Sequence, residues 1–369
     1  METSVPLPEE LNQSLLEESD LLFQESNTKM QRVLLLVGPH KTASTSIQIN
    51  MMNWLNDEYH PSGLAKTWAW PSPIQKFRND GCTKHETMEH FVFYWWIHAM
   101  MGRKDVNCMH YSNGEEFYSR QQMIEIYRRE FYDQWMKGYS LVIASEGMDF
   151  VGSPNVGLLE GIIHQLPWHA NYSQSASGSD NDITVVVVYR SPRVDHLKSM
   201  WHQKSMRKGQ TFHDYLTSPN LSLKSLDSLY ISKQFLDRGL KVDLVDMAGV
   251  LKKGYDISNV VACDILGAAC NKDKSFHSAE NETAIIMNVK NNMEAASNVN
   301  VTTDKLDLID EMILSYDCSL VSILQHPNIT ILHSHSIEQL LQTCQDCNKG
   351  GCIGSRTELE MKISAIVKG

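Results

Sequence analysis

The chain has 369 residues, of which 42% are hydrophobic and 21% charged, and its formal net charge is -11. That composition suits a globular chain with a large core, built as one elaborated domain or two. The negative balance argues against a broad nucleic-acid surface and a highly anionic polymer partner, while leaving room for a local basic pocket. No run approaches the roughly 18 apolar residues of a membrane span. The N-terminus shows no basic region leading into an apolar stretch, so a soluble, cytoplasmic chain is the default expectation. Eight cysteines and six Asn-x-Ser/Thr sequons (Asn12, Asn171, Asn220, Asn281, Asn300, Asn328) pull the other way, because both would be usable in an oxidising lumen such as the Golgi.

Residues 1–28 hold seven acidic groups and no Lys or Arg, which reads as a solvated acidic tail. Residues 32–37 follow as a strand without alternation, the pattern of burial on both faces in a parallel sheet. Ile47, Met51 and Leu55 then space a helix over 45–55. A second strand is expected at 66–70, ended by Pro71 and Pro73. Residues 76–137 are long and aromatic, with a helix through Met123, Tyr127, Phe131 and Trp135 that Gly138 would end. That segment reads either as core packing or as a cap over an acceptor pocket. Further strands are expected at 139–145, 183–189, 240–247, 260–266 and 329–332, and a loop at 169–182. Ser191 and Pro192 are placed to cap and start a helix that Gly209 would end. A polar loop is expected at about 271–303 and a helix over 304–325. Apolar strands alternating with helices predict a three-layer α/β/α fold around a central parallel sheet. The chain divides into a tail at 1–29, a main domain at 30–335 and a Cys-containing extension at 336–369.

The chemistry concentrates at strand ends, where open parallel sheets bind their ligands. After the first strand come Gly38-Pro39-His40-Lys41-Thr42-Ala43-Ser44-Thr45-Ser46. A turn of this kind presents backbone N–H groups and hydroxyls to an anion at a helix N-terminus. Lys41 adds a charge that would be unfavourable there without the anion. The spacing departs from the Gly-x-x-x-x-Gly-Lys-Ser/Thr pattern, since Lys41 follows Gly38 by three positions with no Gly before it, which disfavours a kinase or ATPase. Two other strands deliver Glu146 and Arg190 to the same edge of the sheet.

Lys41-Thr42-Ala43-Ser44-Thr45-Ser46 resembles the 5′-phosphosulfate loop of the sulfotransferases that use 3′-phosphoadenosine 5′-phosphosulfate (PAPS), with Ala43 where glycine is usual. Arg190-Ser191-Pro192-Arg193-Val194-Asp195-His196-Leu197-Lys198-Ser199 is similar to the family's 3′-phosphate signature, its serine one position later than usual and Lys198 in the usual place. Thr211-Phe212-His213-Asp214-Tyr215-Leu216 and Tyr316-Asp317-Cys318 resemble further family helices. The resemblance covers about residues 30–335. It implies a P-loop NTPase-like fold and sulfuryl transfer from PAPS to a hydroxyl or amine of a small-molecule or carbohydrate acceptor, with no metal required. It implies that Lys41 stabilises the leaving phosphate and that Gly38, His40, Lys41, Thr42, Ala43, Ser44, Thr45 and Ser46 hold the 5′ side. By the same resemblance, Arg190 and Ser199 hold the 3′-phosphate.

Glu146 is the candidate general base, or else a structural or metal-binding acid; His85, His90, His98 and His110 also lie in the aromatic segment. The alternatives are a nucleotide-binding module without catalysis and a P-loop phosphotransferase. Cys344-x-x-Cys347 with Cys352 reads as a local disulfide or reduced thiols before zinc.

Overall fold

The computed structural model describes residues 31–38, 44–79, 93, 96–97, 99, 118–144, 183–204, 209–219, 221, 223, 227–268, 270, 301–347 and 351–368. The expected acidic tail, the 169–182 loop and most of the 271–303 loop lie outside them. One compact unit runs from Arg32 to Gly369.

Its centre is a six-stranded sheet in the order β2-β3-β1-β4-β5-β6, with every pairing parallel. Strand β1 (Val33–Gly38) leads to helix α1 (Ser44–Asn56), a 3₁₀ turn (Leu64–Lys66) and the two-residue edge strand β2 (Trp68–Ala69). Helices α2 (Ile74–Asn79) and α3 (Arg120–Met136) precede β3 (Ser140–Ala144), and β4 (Ile183–Tyr189) precedes α4 (Arg193–Lys204). Next come α5 (Phe212–Thr217), α6 (Ser228–Leu236), β5 (Lys241–Asp246), α7 (Met247–Lys252) and α8 (Ile257–Val260). The chain closes with α9 (Thr303–Leu320), β6 (Ile329–Leu332), α10 (His335–Cys347) and α11 (Arg356–Lys368).

The central strands are apolar on both faces because both faces are covered. All seven residues of β4 are buried. Val186 and Val188 line a small pocket with Ile47 and Gln48 of α1. The Tyr189 ring reaches α9 on the opposite side, as alternation along a strand requires. On the α1 side, the Asn50 amide donates to the Ser258 hydroxyl of α8 at 2.9 Å. On the other, α6 packs on β4 and β5 and is itself backed by α9. These are the three layers the strand pattern predicts. A second buried cluster joins Leu197 and Trp201 of α4, Phe212 of α5, Ile309 and Ile313 of α9 and Ile363 of α11.

Phe93, Trp96, Tyr127 and Phe131 are buried, with Trp96 and Phe131 edge-to-face at 4.9 Å, so the described part of the aromatic segment is core. Gly138 follows α3 at φ 88, a backbone angle that favours glycine, and so ends that helix as expected.

Two elements differ from the sequence reading. Residues 260–266, expected as a strand, are helical: α8 continues into a π-turn, Val261–Ile265. The Asp256 carboxylate starts that helix by accepting from the Ser258 amide at 2.7 Å, and Val260, Val261, Ala262 and Ile265 are buried around it. An apolar run this short carries too little periodicity to separate helix from strand. Helix α4 begins at Arg193 rather than Pro192, and a first-turn amide is capped from a distant helix: Val194 N–H donates to Asp310 Oδ1 at 2.8 Å.

Candidate functional site

The topology singles out one crevice. From β1 the chain crosses to the β2 side of the sheet, whereas from β4 it crosses the other way to β5, and β1 and β4 are neighbours. Adjacent strands whose connections diverge leave a gap at their carboxyl ends, the usual ligand position in open α/β sheets. The two corners expected from the sequence to meet an anion adjoin this pair of strands.

Gly38 ends β1 at φ 92, and the register with β4 shifts between Leu36 and Gly38. Gly38 thus takes a backbone angle that glycine adopts without strain, and it lines a small pocket with Ile47, Gln48, Val186 and Val188. Helix α1 begins at Ser44, and Thr45 and Ser46 lie in its first turn, where amides lack intrahelical partners. His40, Lys41, Thr42 and Ala43 lie outside the described residues.

Arg190 directly follows β4, three positions beyond Val187, the register partner of Gly38. It is half-buried, and burial lowers the proton affinity of its guanidinium while Asp195 partly restores it. Ser199 and Lys198 sit half-exposed on α4, and Lys198 Nζ pairs with Asp195 Oδ1 at 3.4 Å. Lys198 is thus partly committed to its own helix. On the other side of β1, the described part of β3 ends at Ala144, the partner of Leu36. Glu146 itself, like His85, His90, His98 and His110, lies outside the described residues.

Behind Arg190 is a buried ionic network that motif reading assigned no role. Arg193 is 2% exposed and Asp317 not at all; Arg193 Nε lies 3.1 Å from Asp317 Oδ2. The Tyr189 hydroxyl donates to the same oxygen at 3.1 Å, and the Arg193 guanidinium stands over the Tyr189 ring at 5.1 Å. A second carboxylate, Asp227, accepts from the Tyr316 hydroxyl at 2.7 Å and faces Arg356 Nε at 3.5 Å.

The two sides of the Arg193–Asp317 pair respond differently. Burial opposes charge on both, but Asp317, Asp227 and Asp310 together keep Arg193 more firmly protonated than an ordinary arginine. Burial, reinforced by the repulsion of Asp227 and Asp310, pushes the Asp317 carboxyl up to about 6 despite Arg193. Arg193 is therefore the fixed charge of the network and Asp317 the member that titrates. The sequence signals were Asp317 within the Tyr316-Asp317-Cys318 stretch and an arginine three positions after Arg190.

At the end of β5, Asp246 is also fully buried. Its Oδ1 accepts from the Ala248 and Gly249 amides at 3.1 and 3.2 Å, and its Oδ2 accepts from the Ser336 and Ile337 amides. One carboxylate thus caps two helices, α7 and α10, which is a structural task.

Cys344 is joined to Cys318, Cys263 to Cys270, and Cys352 is also disulfide-bonded. Cys344 is accordingly no thiolate ligand. Among the described residues no group of three or more His, Cys, Asp or Glu is placed to hold a metal ion. No described helix is long and apolar enough to cross a membrane. No family model, curated protein or solved structure matches the chain.

Proposed function

We propose that the protein is a PAPS-dependent sulfotransferase of the P-loop NTPase-like class, acting on a hydroxyl or amine of a small-molecule or carbohydrate acceptor. The observation that carries this reading is the pairing of two anion-binding corners on adjacent parallel strands: the Gly38 turn into α1, and Arg190 after β4. A nucleotide with phosphates at both ends needs two such corners, and the crevice between diverging connections is where one would lie. The donor set fits: helix-start amides and a lysine for the 5′-phosphosulfate, a planar guanidinium for the 3′-phosphate.

When bound, PAPS supplies an activated sulfuryl group. The chain's own residues would then do three things. Arg190, with Ser199 or Lys198, holds the 3′-phosphate and so orients the nucleotide. Lys41 and the first-turn groups of α1, including Ser44, Thr45 and Ser46, neutralise the charge that grows on the 5′-phosphate as its bond to sulfur breaks. Glu146 takes the proton from the acceptor as its oxygen or nitrogen attacks sulfur. This charge stabilisation does not call on a metal.

The test is a thermal-shift comparison of PAP (3′-phosphoadenosine 5′-phosphate, the desulfated product), ATP with magnesium, and buffer, followed by transfer from labelled PAPS to an acceptor panel. Selective stabilisation by PAP is expected, with Lys41→Ala abolishing transfer at little cost in stability. Stabilisation by magnesium ATP alone would overturn the reading in favour of a phosphotransferase. PAP binding without any product would favour a nucleotide-binding module, which Ala43 in place of glycine and the one-residue offset of Ser199 also suit.

A further inference from the structure

Among the described residues, helix α9 holds the corner that carries Arg190 from outside the sheet. On α9, Asp310 and Asp317 are seven residues apart, which is about two turns and hence one face. Asp310 Oδ1 accepts the Val194 amide at 2.8 Å and so caps α4. Asp317 Oδ2 holds the Arg193 guanidinium and the Tyr189 hydroxyl, each at 3.1 Å. Arg193 Nη1 in turn donates to the carbonyl of Arg190 at 3.4 Å. The residue before Arg190 and the third and fourth residues after it are therefore tied to α9, and Arg190 itself is tied through Arg193. Pro192, lying between, has no N–H to contribute.

We propose that Asp310 and Asp317 are positioning residues: they fix the backbone from which Arg190 meets the 3′-phosphate, without touching the nucleotide themselves. The assignment rests on the PAPS reading. A forked guanidinium rewards placement, since two parallel hydrogen bonds to a phosphate form only from the right origin and angle. Among the described residues, both carboxylates act on main chain or on side chains adjoining Arg190, and not on Gly38 or the start of α1, which would hold the 5′ end. Loosening them should therefore weaken recognition of one phosphate and spare the rest of the ligand, which a general loss of stability would not do.

The experiment is calorimetry on the full chain with PAP and with adenosine 5′-phosphate, which lacks the 3′-phosphate. Asp310→Ala and Asp317→Asn should each weaken PAP binding about tenfold and leave the adenosine 5′-phosphate affinity within about twofold. Asp310→Asn, which keeps the capping acceptor, should retain PAP affinity within about twofold. Equal loss for both nucleotides, or undiminished PAP preference in a folded Asp310→Ala variant, overturns the proposal. A wild-type chain with no preference for PAP would overturn the PAPS reading by itself. The brace is then judged by amide hydrogen exchange over residues 190–197: faster exchange in Asp310→Ala and Asp317→Asn supports it, and unchanged exchange overturns it.

Discussion

Arg193→Met removes a cation that is 2% exposed while keeping most of its aliphatic stem in place. At 3.1 Å from Asp317 and an effective dielectric of about 20, the lost attraction is about 5 kcal/mol. Relief of the arginine's own desolvation offsets part of this, but the partner carboxylate is left buried beside Asp227. Breaking a buried pair from one side typically costs about 3–5 kcal/mol. An unfolding entropy of about 2.1 cal/mol/K per residue makes that a fall in melting temperature of about 4–6 °C for a chain of this length. The fall should depend on pH in a particular sense. At pH 5 the wild-type Asp317 carboxyl, pushed up to about 6 even with Arg193 beside it, already carries a proton, so little of the ion pair is there to lose. Above pH 6 the wild-type pair is ionised, and removing Arg193, which holds that carboxyl down, leaves Asp317 either uncompensated or forced to take up a proton. Thermal melts by circular dichroism at about pH 7.5 and about pH 5 should thus show the drop at the higher pH and about half or less at the lower. A drop below about 1 °C at the higher pH, or equal drops at both, would refute the view that Arg193 offsets a buried anion.

The remaining predictions concern the same framework. Asp317 has a folded pKa of about 6, raised above the ordinary 3.8, so its contribution to stability is present below 3.8 and lost as pH rises through 6. Asp317→Asn should remove that decline, and denaturant titrations of the two proteins should diverge by up to about 3 kcal/mol across this window; parallel curves would be the contrary result. Gly249→Ala would place a methyl 1.9 Å from the His333 carbonyl oxygen, where β6 turns toward α10. It should cost about 1–3 kcal/mol by overpacking, read as a lowered denaturation midpoint; an unchanged midpoint would mean the turn yields freely. The Cys318–Cys344 disulfide spans 26 residues and links α9 to α10. The chain-entropy relation gives it about 3.5 kcal/mol, so Cys318→Ser/Cys344→Ser should melt several degrees lower than the oxidised wild type, and an unchanged melting temperature would be the contrary result.

The layered architecture was legible because its physics is local. Ile183–Tyr189 is apolar throughout, a pattern that requires cover on both faces, and such strands alternating with helices imply a parallel sheet. The Gly38 and Arg190 corners were legible for a related reason: glycine, hydroxyl-rich and arginine signals at strand ends state their chemistry in a few consecutive residues. The π-turn at Val261–Ile265 was not legible, since an apolar run this short carries too little periodicity to separate helix from strand. Asp310 and Asp317 were equally silent as supports for Arg190, because their partners Val194 and Arg193 lie more than a hundred positions away along the chain. Short windows of sequence thus specify which residues could meet an anion and which strands would carry them. That β1 and β4 stand side by side with diverging connections, and that one helix holds the residues flanking Arg190, emerges only when the chain is folded. Strand order and long-range carboxylate contacts are set by how the layers pack, and packing leaves no mark in a few consecutive residues.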